Sequence, residues 1–249
     1  MSARDQARTR IAVALDVDSA ATARRLAEVL RGRVGWLKVG LQLFTAAGGP
    51  LVKELSGAGH RVFLDLKLHD IPNTVSSAAV EAARLGAAML NVHASGGVEM
   101  MRRAAEEIAR EARRSGRERP LLIAVTALTS LDDSDLARIG LMGPPDELVL
   151  RLAGLARFAG CDGVVCSPRE IRPLRESLGR DFMIVTPGIR PAWATPAPMA
   201  GDDQKRIATP AEALADGADV IVVGRPVTGS ADPAGAVERI LDEIESGAS

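Results

Sequence analysis

The sequence predicts an α/β fold, a single (β/α)8 barrel, on three observations. Eight short apolar, β-branched runs recur along the chain, segments with apolar residues at three- and four-residue spacing lie between them, and glycine-led pairs punctuate the joins. The strands are read over 11–17, 35–39, 61–66, 88–92, 121–125, 163–166, 182–185 and 220–223. Amphipathic helices are read over 20–30, 72–85, 98–114, 147–158 and 233–244, among others. The charged face of the 98–114 helix is taken as its solvated side.

Alternation of strand and helix implies parallel strands. Gly57-Ala58, Gly86-Ala87, Gly160-Cys161 and Gly217-Ala218 stand where a helix should end and the next strand begin, which suits a glycine at the helix C-terminus. Eight units without a linker or low-complexity stretch favour a closed TIM barrel, 1–249 as one domain, over a doubly wound open sheet. No G-x-G-x-x-G follows the first strand to support a dinucleotide site. The exception to the rhythm is a proline-rich loop over 187–204, between the seventh and eighth strands, and a loop that long is usually functional.

Composition narrows the function classes. With 249 residues, 47% hydrophobic and 25% charged, the chain can bury one large core. Its formal net charge is −1, from 31 basic and 32 acidic residues mixed along the chain, so no basic stripe invites a nucleic acid. Cys161 and Cys166 lack metal or disulfide spacing and read as inert, reduced thiols. Residues 1–10 are polar, and no apolar run approaches the roughly 18 residues of a membrane span, so a soluble cytoplasmic protein is expected. Only four lysines occur, Lys38, Lys53, Lys67 and Lys205. Each is therefore a candidate for a role that arginine cannot fill.

The most informative stretch is Phe63-Leu-Asp-Leu-Lys-Leu-His-Asp-Ile-Pro-Asn-Thr-Val75. Strand alternation points Asp65 and Lys67 into the barrel and Leu64 and Leu66 at the helices, with Asp70 just past the strand. Alone, this pattern reads equally as a structural ion pair, because charges at an apolar barrel mouth must pair. Asp16 ends the first strand and Lys38 the second, however, so four charged groups from three consecutive strands converge on one end. A compact ammonium can give up a proton and a guanidinium effectively cannot, which makes Lys67 a candidate general acid. Beyond the seventh strand stands Thr186-Pro-Gly-Ile-Arg190, and beyond the eighth Val223-Gly-Arg-Pro226. Loops there are the usual phosphate site of a barrel, with glycines admitting an anion to backbone N–H groups and Arg190 and Arg225 gripping it. Gln204 could add an amide donor. His93, at the end of the fourth strand, either lines the site or is structural, and His60 and His69 form no ligand cluster with it.

These pieces, together with Leu15-Asp16, Lys38-Val-Gly40, Val125-Thr-Ala-Leu-Thr-Ser130, Pro187-Gly-Ile-Arg190, Asp203-Gln-Lys205 and Gly224-Arg225, resemble in order the bacterial type of the orotidine 5′-phosphate decarboxylase family. The resemblance implies a cofactor-independent decarboxylase in which Lys67 protonates C6 of the pyrimidine and Asp65 and Lys38 hold the charged network around it. It further implies that Asp16 binds the ribose and Thr129 the pyrimidine ring. Arg190, Gln204, Gly224 and Arg225 would hold the 5′-phosphate, with the 191–204 loop closing over it. Asp70 and Thr74 would reach into the neighbouring site of a homodimer. The spacing from Arg190 to Gln204, filled by Pro191, Pro196 and Pro198, is longer than the family pattern. The rivals are a magnesium-dependent decarboxylase or aldolase acting on keto-hexose phosphates, against which Ile71-Pro-Asn-Thr74 argues, and a silent barrel that only binds a phosphorylated ligand. No metal or cofactor is assigned.

Overall fold

In a computed structural model, residues 2–141, 144–194 and 207–247 are described. Eight parallel strands close on themselves in chain order: β1 (Ile11–Ala14), β2 (Trp36–Gly40), β3 (Val62–Leu68), β4 (Met89–His93), β5 (Leu121–Val125), β6 (Gly163–Val165), β7 (Met183–Thr186) and β8 (Val220–Val223). Pairing of Ile11 with Ile221 and Val13 with Val223 completes the circle. This is the (β/α)8 barrel the periodicity predicts.

Two cores follow from strand alternation. Ala12, Trp36, Phe63, Met89, Ile123 and Val222 fill the barrel, whereas Val13, Leu37, Leu64, Leu90, Leu122 and Ile221, one residue out of phase, pack under the helices. The outer ring is α1 (Ala3–Thr9), α2 (Ala20–Leu30), α3 (Leu41–Gly57), α4 (Pro72–Arg84), α5 (Val98–Ser115), α6 (Asp133–Arg138), α7 (Pro145–Phe158), α8 (Ile171–Leu178), α9 (Pro210–Asp216), α10 (Arg225–Thr228) and α11 (Pro233–Gly247). Its stops and starts are written locally. Pro72 opens α4 at a position whose N–H would have no partner within the helix, so proline's lack of one costs nothing, and Thr209 with Glu212 forms a reciprocal capping box on α9. On α5, Met100, Met101, Ala104 and Ile108 face the core while Arg102 pairs with Glu99 and Glu106 on the exposed side.

Three readings need correction. Strand β1 stops at Ala14 rather than at residue 17. Leu15 makes one more ladder bond, its N–H donating to the Lys38 carbonyl at 2.9 Å, and the chain then leaves the sheet. Asp16 therefore stands beyond the strand and half exposed. Of the four glycine pairs, Gly86, Gly160 and Gly217 take the left-handed conformation, but Gly57 remains helical and the reversal after α3 falls to Gly59. The N-terminal segment, read only as polar, forms α1, tied down where Arg4 reaches Glu238, Asp242 and Glu245 of α11.

The two ends of the barrel differ in what their charges do. At the N-terminal end Asp162 and Asp219 accept hydrogen bonds from the backbone N–H of Leu122 and Ile184, both at 2.8 Å, while pairing with Arg119 and Arg175. Those carboxylates stitch strands together. The charges at the opposite end line a cavity.

Candidate active site

A cavity of about 540 Å³ opens at the C-terminal ends of the strands, where barrels carry their functional residues. Asp16, Lys38, Asp65, Lys67, Thr129, Arg190, Gly224 and Arg225 all line it. The structure thus brings together eight of the eleven residues singled out from sequence. Gln204 lies outside the described residues, as does the 195–204 part of the loop. Asp70 and Thr74 do not line the cavity of their own chain. Both are exposed, Asp70 on the loop before α4 with its Oδ1 accepting from the Ile71 N–H at 2.6 Å, and Thr74 on the first turn of α4. Ile71 between them is 67% exposed, unusual for an isoleucine.

The charged groups form one connected chain. Lys38 Nζ lies 3.1 Å from Asp16 Oδ1 and 3.2 Å from Asp65 Oδ2, and Lys67 Nζ lies 2.7 Å from Asp65 Oδ1. Glycine leaves room beside this chain: a Cβ on Gly40 would sit 3.0 Å from both Asp16 Oδ1 and Lys38 Nζ and crowd the ion pair. Burial favours a neutral Asp65. Lys38 and Lys67, with hydrogen bonds from Lys67 and Asn91, overcome that and hold its carboxyl at about 2. Burial likewise works against the Lys38 ammonium, but Asp65 and Asp16 outweigh it and raise its pKa above the ordinary lysine value. Both groups stay ionised at neutral pH. Lys67, 31% exposed, is the ammonium of the chain that reaches open cavity while still held by a buried carboxylate.

Lys67 is placed by an unusual backbone. Its φ is +50°, and among the described residues no other non-glycine residue has a positive φ. For an L-residue this conformation costs about 1–2 kcal/mol. It coincides with a slip in pairing: β3 and β4 are in register through Leu64 and Leu90, then shifted by the time Leu68 meets Val92. Leu66 nevertheless faces the helices and Lys67 the cavity, as alternation predicts.

Sequence reasoning missed Asn91. It is 1% exposed on β4, its Nδ2 donates to Asp65 Oδ1 at 2.7 Å, and its Oδ1 accepts from the Lys67 N–H at 2.8 Å. A signal existed: Asn91 shares the inward phase of Met89, and a buried amide in the apolar run 88–92 demands partners. Gln42 on α3 and Ser130 beside Thr129 also line the cavity without having been singled out. His93 lies just past this network. Its ring stands 5.2 Å from that of His69, a neighbour the sequence reading did not foresee, and burial first, then His69 and Lys67, depress its pKa. Among the described residues no three His, Cys, Asp or Glu side chains are grouped to hold a metal.

At the far side of the cavity stand groups from the β7 and β8 ends. Gly188 has φ +77°, turning the chain so that Pro187, Gly188 and Arg190 face the opening, while Gly224 and Arg225 enter at the start of α10. An isolated bridge between Ile189 and Ala208, with the Arg190 N–H donating to the Ala208 carbonyl at 2.9 Å, joins the described ends of the long loop. The cavity therefore has one end of alternating carboxylates and ammoniums and one end of glycines and guanidiniums. The second combination suits a phosphate dianion.

Comparison with known proteins agrees with this arrangement. The profile of the "Orotidine 5′-phosphate decarboxylase / HUMPS family" matches residues 9–240. An orotidine 5′-phosphate decarboxylase of Geobacter sulfurreducens is 53% identical over 244 residues, 98% of this chain and 99% of that one, and one of Moorella thermoacetica is 50% identical over 243 residues, 97% and 94% of the two chains. The crystal structure of orotidine 5′-phosphate decarboxylase from Lactobacillus acidophilus superposes with a TM-score of 0.81 at 40% identity, covering 94% of this chain and 98% of that one. No helix among the described residues is long and apolar enough to cross a membrane. With half its residues shared along nearly its whole length and the same barrel beneath them, the chain belongs to the orotidine 5′-phosphate decarboxylase / HUMPS family.

Proposed function

We propose that the protein decarboxylates orotidine 5′-monophosphate to uridine 5′-monophosphate and carbon dioxide, a step of pyrimidine biosynthesis, in the cytoplasm and without a cofactor. The observation that carries the reading is the Asp16–Lys38–Asp65–Lys67 chain facing a glycine and arginine cluster across one cavity. A pyrimidine nucleotide offers the matching pair of features, a reacting carboxylate at one end and a phosphate at the other.

In the reaction the C6–carboxylate bond breaks, carbon dioxide departs, and the electron pair stays on C6 in an in-plane orbital that the ring π system cannot delocalise. The Lys67 ammonium faces that developing charge and stabilises it, the preorganised electrostatic contribution that is often the largest in an enzyme. Its proton then passes to C6, and the neutral amine recovers one from solvent. Asp65 holds Lys67 at 2.7 Å and stands as a fixed negative charge near the substrate carboxylate, raising the ground state, while Lys38 limits that repulsion and fixes Asp65 from its other oxygen. Asp16 receives the ribose hydroxyls and Thr129 the pyrimidine. Arg190, Gly224 and Arg225, with Gln204, take the phosphate, and closure of the 191–204 loop over it turns remote binding into a lower barrier at C6.

Asp70 and Thr74 serve the site of a second copy in a homodimer. Their exposure beside Ile71, outside their own cavity, supports that assignment. Mixing the inactive variants Lys67→Ala and Asp70→Ala tests it: subunit exchange should restore part of the activity, because one site of the mixed dimer is then intact. No recovery on exchange would place Asp70 in its own subunit's site.

The function itself is tested by incubating the protein with orotidine 5′-monophosphate and a chelator and following the pyrimidine absorbance. Conversion to uridine 5′-monophosphate is expected. Activity only toward a keto-hexose phosphate, and only with magnesium, would move the reaction to the other branch of the family.

A further inference from the structure

We propose that Asn91 is a positioning residue for the decarboxylation, a two-sided amide clip that sets both the Asp65 carboxylate and the backbone from which Lys67 projects. The inference rests on the reaction proposed above.

The geometry leaves the amide no slack. Asn91 is buried on β4, directly across from the point where β3 loses register. There the ordinary ladder cannot serve the Lys67 N–H, and the Asn91 Oδ1 accepts it at 2.8 Å instead. The same side chain turns its Nδ2 to Asp65 Oδ1 at 2.7 Å, the very oxygen that Lys67 Nζ approaches at 2.7 Å. One planar group thus fixes the Lys67 backbone and the acceptor of the Lys67 ammonium relative to each other. A side chain that carries a donor and an acceptor on one carbon at this reach does both, and asparagine supplies that pair. A left-handed lysine is not a conformation the chain would keep unaided. Without the clip, Lys67 is free to relax toward an ordinary strand conformation and its Nζ to leave the place where charge develops on C6. Displacements of about 1 Å at such a group cost on the order of a hundredfold in rate.

Two variants separate positioning from mere packing. Asn91→Leu keeps the branched outline, in a somewhat bulkier side chain, and loses both hydrogen bonds; Asn91→Asp keeps the acceptor for Lys67 but puts a carboxyl oxygen where Asp65 needs the amide donor. In both, kcat should fall by about ten- to a hundredfold while KM stays within about threefold, since the phosphate groups are untouched. The acid limb of kcat should also move to higher pH. Asp65 is faced by Lys38 and Lys67, by Asp16 through Lys38, and by His93 from β4, all still present, so what makes Asp65 easier to protonate is loss of the Asn91 donor, joined in Asn91→Asp by a second carboxyl group beside it. Carbon-13 NMR of the Asp65 carboxyl, which needs no turnover, should show the same upward move. If Asn91→Leu fails to fold, Asn91→Asp, the same size and shape, carries the test. Wild-type kcat and an unmoved Asp65 titration in a folded variant would overturn the inference, as would a loss confined to KM. An inactive wild-type enzyme would instead overturn the reaction, and the NMR titration would still judge the clip.

Discussion

Asp65→Asn removes the one carboxylate shared by two ammonium groups, Lys38 Nζ at 3.2 Å and Lys67 Nζ at 2.7 Å. Burial alone would raise the Asp65 pKa, yet the two lysines and the hydrogen bonds bring it from the ordinary 3.8 down to about 2. A carboxyl whose pKa falls on folding stabilises the folded state in full above its unfolded value, and that stabilisation drains away as pH falls from about 4 through about 2. At about 1.4 kcal/mol for each pH unit between the two values, the whole contribution is about 2 kcal/mol, and about 1 kcal/mol of it is gone by about pH 3. Urea unfolding of both proteins at about pH 6 and about pH 3 reads this directly: the wild type should lose about 1 kcal/mol more over the interval than Asp65→Asn, which has no such proton to bind. At the upper pH the variant should already be less stable by at least about 2 kcal/mol, because Lys67 loses its carboxylate and the deeply buried Lys38 keeps only Asp16. Equal losses in the two proteins between those pH values would refute the reasoning, since Asp65 would then titrate alike folded and unfolded.

Lys67→Ala should abolish turnover, a loss of at least about a thousandfold, with an unchanged far-ultraviolet circular dichroism spectrum; substantial uridine 5′-monophosphate formation would exclude Lys67 as the proton donor. Arg225→Ala should weaken binding of uridine 5′-monophosphate by roughly ten- to a hundredfold, the worth of a lost charge-assisted hydrogen bond, and titration calorimetry showing unchanged affinity would contradict its phosphate assignment. Gly40→Ala should cost more activity than stability. Its new methyl group would stand 3.0 Å from Asp16 Oδ1 and Lys38 Nζ, at the mouth and not in the packed core, so kcat should drop by about tenfold or more while the melting temperature moves by only a few degrees.

How much of this was legible in advance depends on how far apart in sequence the cooperating atoms lie. The barrel itself is a sum of local signals, and the eight strands, of three to seven residues, and their phase follow from periodicity in short apolar runs. Asp65 and Lys67 are two residues apart on one strand, so alternation alone puts them on one face, and Lys38 and Asp16 need only the further rule that strand ends meet at a barrel mouth. The same logic overshot at β1, where Val17 continues the apolar pattern past Asp16 and hides the point after Leu15 at which the chain leaves the ladder and Asp16 meets Lys38.

What escaped the reading is set by pairing between distant strands. Gly40 could be read as part of the Lys38-Val-Gly40 piece of the family resemblance, but its purpose, space for an ion pair between residues 22 positions apart, exists only once β1 and β2 lie side by side. The left-handed turn at Lys67 leaves no trace in Leu66-Lys-Leu68, because it is imposed by the slip against β4. Asn91 carries no charge to announce it, and its partners lie 24 and 26 residues away. Charges are conspicuous in sequence because an apolar interior makes them costly wherever they fall; an amide becomes informative only when both of its hydrogen-bonding faces are matched to specific atoms. The residues that hold a buried charge in place are therefore harder to read than the charge itself, and in this barrel the holding is done across strands that meet only on folding.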